Sequence, residues 1–291
     1  MIRCNVCLKK QKLYFTYKKF RYYKCNSCGL VSTLPLPTQR MILEHYDKKF
    51  RNGNYELLLK YENEYKQVYS DFIIIIKNIL KKGKQNPHKL SALDIGCFTG
   101  SFLQMLKEIG FKVNGLELQK EAVQIAQKRL PKQVFESDVM KDKMPNGKYD
   151  LVCMLGLIEH VTDPYLLIKK CRKLLNDEGL LLIQTPNSSS IPARILKKYW
   201  PPYAPIEHIN LFSRQSLVNL LSKHGFEIIH ESNHIKKLPF SYVYNMLSNF
   251  GPEFKTILKP LDFLMPRVIK RFPLPFYVGE IIIVAKKLPK N

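Results

Sequence analysis

The sequence predicts an α/β protein built on a seven-stranded, doubly wound sheet that is preceded by a small cysteine module. Three observations predict it. Short apolar runs alternate with amphipathic segments from Lys89 onward, the pattern of a largely parallel sheet with helices on both faces. Two Cys-x-x-Cys pairs stand within the first 28 residues. The proline-bearing stretch 34–38, which resists helix, separates those pairs from the rest. A chain of 291 residues accommodates one filled core of roughly 150 to 200 residues with an appendage. We therefore divide it into residues 1–37, 38–88 and 89–291.

The cysteine module comes first. Cys4 and Cys7 form one knuckle and Cys25 and Cys28 a second, with 17 residues between them. A two-residue gap lets both sulfurs of a knuckle reach one ion, and four thiolates complete a tetrahedral zinc site with no position left for water or substrate. The expectation is a zinc ribbon with a structural Zn2+; iron is the less common occupant, and a catalytic dithiol would need one pair only. Gly29 supplies permissive backbone after the second knuckle, and residues 13–24 alternate as a hairpin would. Seven cysteines in a chain that opens without a secretion signal do not make a disulfide framework. Cys97, Cys153 and Cys171, each in apolar surroundings, read as small buried hydrophobes.

From Met41 to Leu80 the pattern turns helical, with Leu57, Leu58, Tyr61, Tyr65, Val68, Tyr69 and Phe72 at three- and four-residue spacings. This predicts a helix packed on, or capping, the next domain. Beyond it, strands are expected at 90–95, 111–117, 133–137, 149–155, 179–185, 226–231 and 279–285, and helices near 100–109, 119–130, 163–175 and 213–224. Residues 236–276 stand apart. They interleave Phe240, Tyr242, Tyr244, Phe250, Phe254, Phe263 and Phe272 with Lys236, Lys237, Lys255, Lys259, Arg267, Lys270 and Arg271. Such a segment is a helical lid burying its aromatics on the core, or a face turned to a lipid surface.

Net charge is +23, and its distribution says more than its size. Residues 1–60 hold 13 Lys and Arg against 3 Asp and Glu, residues 61–185 hold 19 against 15, and residues 186–291 hold 15 against 6. Basic flanks around a balanced middle attract phosphates, whether of a nucleotide-linked substrate, of RNA or of an anionic membrane. The alternative is a lysine-rich composition with solvated side chains. No run of about 18 uncharged apolar residues occurs, so a cytoplasmic protein is expected, with peripheral contact at the inner membrane face open through the lid segment.

The strand at 90–95 ends in Asp94, and Gly96 and Gly100 follow in Asp-Ile-Gly-Cys-Phe-Thr-Gly. Glycines permit a tight strand-to-helix turn and close approach of a ligand to the backbone. A dinucleotide fingerprint needs a central glycine that is missing here, and no Gly-Lys-Ser or Gly-Lys-Thr follows to make a triphosphate loop. Glu117 ends the second strand 21 residues after Gly96, where an acid accepts hydrogen bonds from ribose hydroxyls. Asp138 and Val139 follow the third strand. Leu155 closes the fourth and opens Leu-Gly-Leu-Ile-Glu-His, which ends at His160. Four motifs in this order on these strands resemble class I, S-adenosylmethionine-dependent methyltransferases. The resemblance implies S-adenosylmethionine as cofactor, with Asp94, Gly96 and Gly100 in the first motif. It places Glu117 and Leu118 at the ribose, Asp138 and Val139 at the adenine, and Leu155 and His160 beneath the methionine.

Methyl transfer from a sulfonium is an in-line displacement, so the acceptor must be aligned, water excluded and, for a hydroxyl, a proton removed. A histidine is the usual base. Of two Glu-His pairs, Glu159-His160 falls in the cofactor-side motif. Glu207-His208 follows the fifth strand and a proline-rich stretch, on the face where this fold meets its acceptors. His208 is expected as base and Glu207 as its orienting or proton-relaying partner; the alternative is a histidine that fixes a loop. The segment resembles a Glu-His motif of sugar and other small-molecule methyltransferases, including C-methylating deoxysugar enzymes that carry an N-terminal zinc module. Those enzymes have a tyrosine two residues before the glutamate, where this chain has Pro205. No Asn-Pro-Pro-Tyr follows the fourth strand, and Cys153 is followed by Met154 rather than proline, which disfavours methylation of nucleobases by those routes. The resemblance implies a nucleotide- or lipid-linked sugar of glycan biosynthesis as acceptor. The readings beside it are an RNA methyltransferase and a non-catalytic cofactor-binding scaffold.

Overall fold

The structure is a computed structural model that describes residues 2–38, 40–42, 44–45, 48, 62–142, 145, 147–241, 243–244, 256, 259–260, 262–266 and 273–289. In the cysteine module, strands β1 (Gln11–Tyr17) and β2 (Phe20–Cys25) form the expected antiparallel hairpin, and β3 (Val31–Leu34) pairs antiparallel with β2. Lys18, at φ 54, takes the left-handed turn between the first two. A fourth strand, β9 (Asn210–Leu211), comes from far along the chain and extends this small sheet in the order β1-β2-β3-β9. In space the module is therefore not set apart. Cys4, Val6, Cys25, Cys28 and Leu30 belong to the same apolar cluster as Leu93, Ile95, Met154 and Phe212.

Helix α1 (Glu62–Lys82) buries Val68, Phe72, Ile73, Ile76 and Leu80, one face at helical spacing. That face packs on the next domain: the Phe72 ring lies 5.9 Å from Phe102 and 4.8 Å from His234. Leu57, Leu58 and Tyr61, also expected on it, lie outside the described residues, and the Tyr65 side chain is not described.

The central sheet runs through β4 (Ser91–Ile95), β5 (Lys112–Glu117), β6 (Val134–Glu136), β7 (Tyr149–Leu155), β8 (Leu175–Pro186), β10 (Phe226–Pro239) and β11 (Pro273–Lys287). Its order is β10-β11-β8-β7-β4-β5-β6, parallel from β8 to β6, with β11 antiparallel to β8 and β10 antiparallel to β11. Helices α2 (Ser101–Glu108), α3 (Lys120–Arg129), α4 (Pro164–Leu174), α5 (Ile191–Leu196) and α6 (Arg214–Lys223) make the connections. This is the seven-stranded, Rossmann-like doubly wound fold the sequence predicts. Alternate residues of the central strands feed two apolar clusters: Leu93 and Ile95 one, Ala92 the other. Strand order reverses between β4 and β7, and such a switch point opens a crevice at the carboxyl ends of the strands.

Two expected boundaries shift. β8 begins at Leu175 rather than residue 179, directly after α4. β10 and β11 stay paired out to Pro239 and Pro273, so both ends of the 236–276 segment are strand, because an antiparallel pair satisfies its own backbone beyond the sheet. Within that segment Phe240 and Val243 are buried, whereas Phe263 and Leu264 are 86% and 76% exposed. Tyr242, Phe250, Phe254, Lys255, Arg267, Lys270, Arg271 and Phe272 lie outside the described residues. Cys97, Cys153 and Cys171 are buried, and burial pushes the Cys171 thiol up to about 12. No described helix is long and apolar enough to cross a membrane.

Candidate functional site

The crevice is built where β4 ends. Gly96 and Gly100 stand at φ +77 and +76, conformations open to glycine at little cost, and Gly100 lies so close to α3 that a Cβ would sit 3.2 Å from Ala126 Cβ. The loop between them folds back on β5, with the Gly96 and Cys97 amides both donating to Leu116 O. Gly115, which the sequence did not single out, makes room for this: a Cβ there would come 2.7 Å from Cys97 Sγ. Across the loop Glu117 accepts from Phe98 N and from Gln119 N, both at 2.9 Å, so its carboxylate is aimed by two backbone amides. Burial nevertheless pushes Glu117 up.

Asp94 is 2% exposed, and its Oδ1 has no hydrogen-bond partner among the described residues. Burial, with the Glu117 charge adding to it, raises Asp94 to about 8. A buried carboxyl oxygen without a donor beside a glycine cradle is what a polar ligand would complete. The other residues expected at the cofactor differ in exposure. Leu118 is 45% exposed at the rim, Val139 is buried, and Leu155 is partly buried. Asp138 is half-buried, accepts from Met140 N at 3.0 Å and pairs with Lys141 at 3.5 Å.

The acceptor side departs from expectation. His160 and His208, assigned from sequence to separate jobs, meet: their rings lie 4.8 Å apart, edge to face. Ligand atoms of Glu159, His160 and His208 all fall within 4.8 Å of one another. Glu159 is 2% exposed, accepts from Thr185 Oγ1 at 2.8 Å and is pushed by burial up to about 8. Glu207, expected to orient His208 or relay its proton, has a distant partner as well. Glu207 pairs with His45, 162 residues away, and His208 Nδ1 is 2.6 Å from Pro202 O. A carbonyl can only accept, so it fixes the proton on Nδ1 and leaves Nε2 as the basic nitrogen. The two residues close a turn in which the Glu207 and His208 amides both donate to Ala204 O, at 3.1 and 2.8 Å.

Further polar groups on this side have no local sequence signal. His234 Nδ1 is 3.0 Å from Glu280 Oε2, and Lys236 Nζ donates to Glu280 Oε1 at 2.6 Å. Burial alone would raise Glu280, but Lys236 and His234 together bring it down to about 2. These side chains come from two strands that become neighbours only in the folded sheet.

The four module cysteines also converge. Cys4 and Cys28 Sγ are 3.5 Å apart, Cys7 and Cys25 Sγ 3.4 Å, and all four lie within 4.8 Å of one another. A tetrahedron with zinc–sulfur bonds of about 2.3 Å has sulfur–sulfur edges of about 3.8 Å, so this donor set fits zinc. The bond with Cys28 holds the Cys4 thiol down at about 5, against the upward push of burial.

Comparison with known proteins agrees with this geometry. A family model described as a methyltransferase domain matches residues 65–231, more than half of the chain. Among curated proteins, ubiquinone biosynthesis O-methyltransferase of Glaesserella parasuis is 28% identical over 108 residues, 34% of this chain and 46% of that protein. The Bartonella quintana enzyme of the same name is 25% identical over 156 residues, 49% of this chain and 62% of that protein. The chain spans about half the length of the curated relatives it matches. Among solved structures, an S-adenosylmethionine-dependent methyltransferase from Thermotoga maritima aligns with a TM-score of 0.53 at 19% identity, covering 84% of this chain and 98% of that one. Magnesium protoporphyrin IX methyltransferase from Synechocystis, with bound S-adenosylhomocysteine, aligns with a TM-score of 0.50 at 16% identity, covering 77% of this chain and 84% of that one.

Proposed function

The chain belongs to the methyltransferase-domain family, and on that premise we propose that it transfers the methyl group of S-adenosylmethionine to a hydroxyl of a small-molecule acceptor. The observation that carries this reading is the crevice of Asp94, Gly96, Gly100 and Glu117 at the switch point, with the Glu159, His160 and His208 cluster on the acceptor side. The bound cofactor would supply a methyl group on a positively charged sulfur, a strong electrophile that needs no metal. Glu117 accepts from the ribose hydroxyls. Asp94 faces the cationic methionine end, and Leu118, Asp138 and Val139 flank the adenine. His208 Nε2 takes the acceptor proton while Pro202 O holds Nδ1–H, and His160 packs edge-on to limit the ring's rotation. Cys4, Cys7, Cys25 and Cys28 hold a structural zinc ion, with no part in the chemistry.

For the acceptor we favour a sugar carrying a nucleotide or lipid phosphate, supported by the basic flanks and by the resemblance of the Glu-His segment. The name of the curated relatives supports oxygen as the methylated atom. The test is formation of S-adenosylhomocysteine from S-adenosylmethionine with a panel of nucleotide- and lipid-phosphate sugars. His208→Asn should cut turnover by about 10²- to 10⁴-fold with S-adenosylhomocysteine affinity retained. A fully active variant removes His208 as base, and no turnover with any acceptor leaves a binding scaffold. The charge of +23 favours RNA as a second acceptor class. RNA would co-purify with the protein, and activity on it would fall steeply with salt.

A further inference from the structure

We propose that the cysteine module is a positioning element of the acceptor site: it holds the segment that carries His208, so the metal-bound ribbon and the base form one mechanical unit. The ring's role rests on the reading of His208 above; the coupling itself stands on the following contacts.

The segment 208–211 is a strap tied along both edges. On one edge β9 completes the ribbon sheet, with Val31 opposite Leu211 and Ser32 opposite Asn210. Thr33 N donates to Ile209 O at 2.9 Å, and Thr33 Oγ1 donates to His208 O at 3.3 Å. On the other edge Ile209 N and Asn210 N both donate to Glu159 O, at 2.8 and 3.0 Å, and Asn210 Nδ2 donates to Val161 O at 2.9 Å. His208 is thus suspended between a ribbon strand and the loop that carries Glu159 and His160. The carbonyl that orients its ring depends on the ribbon too. Pro202 precedes Tyr203, whose ring lies 4.9 Å from Phe15 and 5.3 Å from Tyr22 of the ribbon hairpin.

The knuckles are bonded into the same body. Ser213 Oγ donates to Cys28 O at 2.5 Å, Ser188 Oγ to Gly29 O at 3.3 Å and Lys223 Nζ to Val6 O at 2.6 Å. Gly29, at φ +79, lies so near that a Cβ would meet Ser213 Oγ at 2.8 Å. A three-stranded ribbon of this size has little core of its own, so its register depends on the ion that closes it. Losing the ion frees β3, and with it one edge of the strap. The hydrogen bonds named above for the cofactor crevice run between β4, β5 and their loops rather than to the ribbon, so the crevice should keep its shape when the ion is lost. Thr33 is accordingly a positioning residue.

The test uses the full chain and two readouts that do not involve turnover. Hydrogen exchange is followed before and after zinc is stripped with a mercurial and chelator, with zinc release quantified. The Ile209 and Asn210 amides should lose protection by at least about tenfold, while the amides of β4, β5 and β7 keep theirs and S-adenosylhomocysteine affinity stays within about twofold. Unchanged protection at Ile209 and Asn210 overturns the proposal. Should stripping unfold the whole chain, Thr33→Val with zinc retained decides. The ¹⁵N signals of the His208 ring should then move from a single Nδ1–H tautomer toward an average, and Thr33→Ser should restore them. Ring signals that stay unmoved in Thr33→Val overturn the proposal. Because neither readout needs an acceptor, their failure is distinct from an active His208→Asn variant, which would remove the base and leave the coupling.

Discussion

Replacing Glu117 with alanine is the sharpest probe of the crevice. Its carboxylate accepts from Phe98 N and Gln119 N at 2.9 Å each, and on the reading proposed above its remaining lone pairs would accept from ribose hydroxyls. A hydrogen bond to a charged group contributes about 1.5 to 3 kcal/mol. Two ribose bonds would sum to about 3 to 6 kcal/mol at that rate, and we take about 3 kcal/mol, because the carboxylate is shared with two amides and burial opposes its ionisation. At about 1.4 kcal/mol per decade this is on the order of a hundredfold in affinity. The alanine also strips acceptors from two amides that water entering the crevice can reach, so stability should fall by only about 1 to 2 kcal/mol, a few degrees in melting temperature. Titration calorimetry with S-adenosylhomocysteine on a variant shown to be folded measures the affinity. Glu117→Gln, which keeps one acceptor, should fall between the two. An alanine variant that is folded and binds within about threefold of the parent would mean that the ribose is held elsewhere.

Three other outcomes are expected. Asp94, raised to about 8 by burial, is mostly protonated at neutral pH in the free protein and should release its proton when a cationic ligand arrives. Calorimetry of S-adenosylmethionine binding at pH 7 in buffers of different ionisation enthalpy should show that release, and its absence would place the cationic end away from Asp94. Gly100→Ala adds a left-handed alanine at φ +76 and a Cβ 3.2 Å from Ala126. It should cost about 1 to 3 kcal/mol in urea unfolding, and a neutral result would show that the turn has room to relax. Asp94 and Glu159 both stand near 8 in the folded chain against 3.8 and 4.5 in the free residues, so the folded state binds their protons more tightly. Their contribution to stability is complete below those lower values and is lost as pH rises through about 8, the reverse of a salt-bridged carboxylate. A melting temperature that rises steadily from pH 5 to 8 would contradict it.

The sheet and the cofactor-side crevice were legible in the residues because they are written in local signals. Strand and helix periodicity, glycines where φ is positive, and acids at strand ends report conformations that each segment adopts through its own neighbours. Two cysteine pairs report a cluster of four sulfurs for the same reason, since each knuckle is a local turn. The contacts around the second Glu-His pair were not legible, because no local pattern announces them. Glu207 pairs with His45, and His208 contacts Pro202 and His160, of which His45 and His160 are brought in from other parts of the chain by the fold. Glu280, His234 and Lys236 likewise share a site only because β10 and β11 pair. The prolines at 35 and 37 do end the cysteine module as chain, yet β9 carries its sheet on into the main domain and the two share a core. A sequence spells out the turns a chain can make; which distant edge an unpaired strand will find is decided by burial of apolar faces and satisfaction of backbone groups over the whole fold.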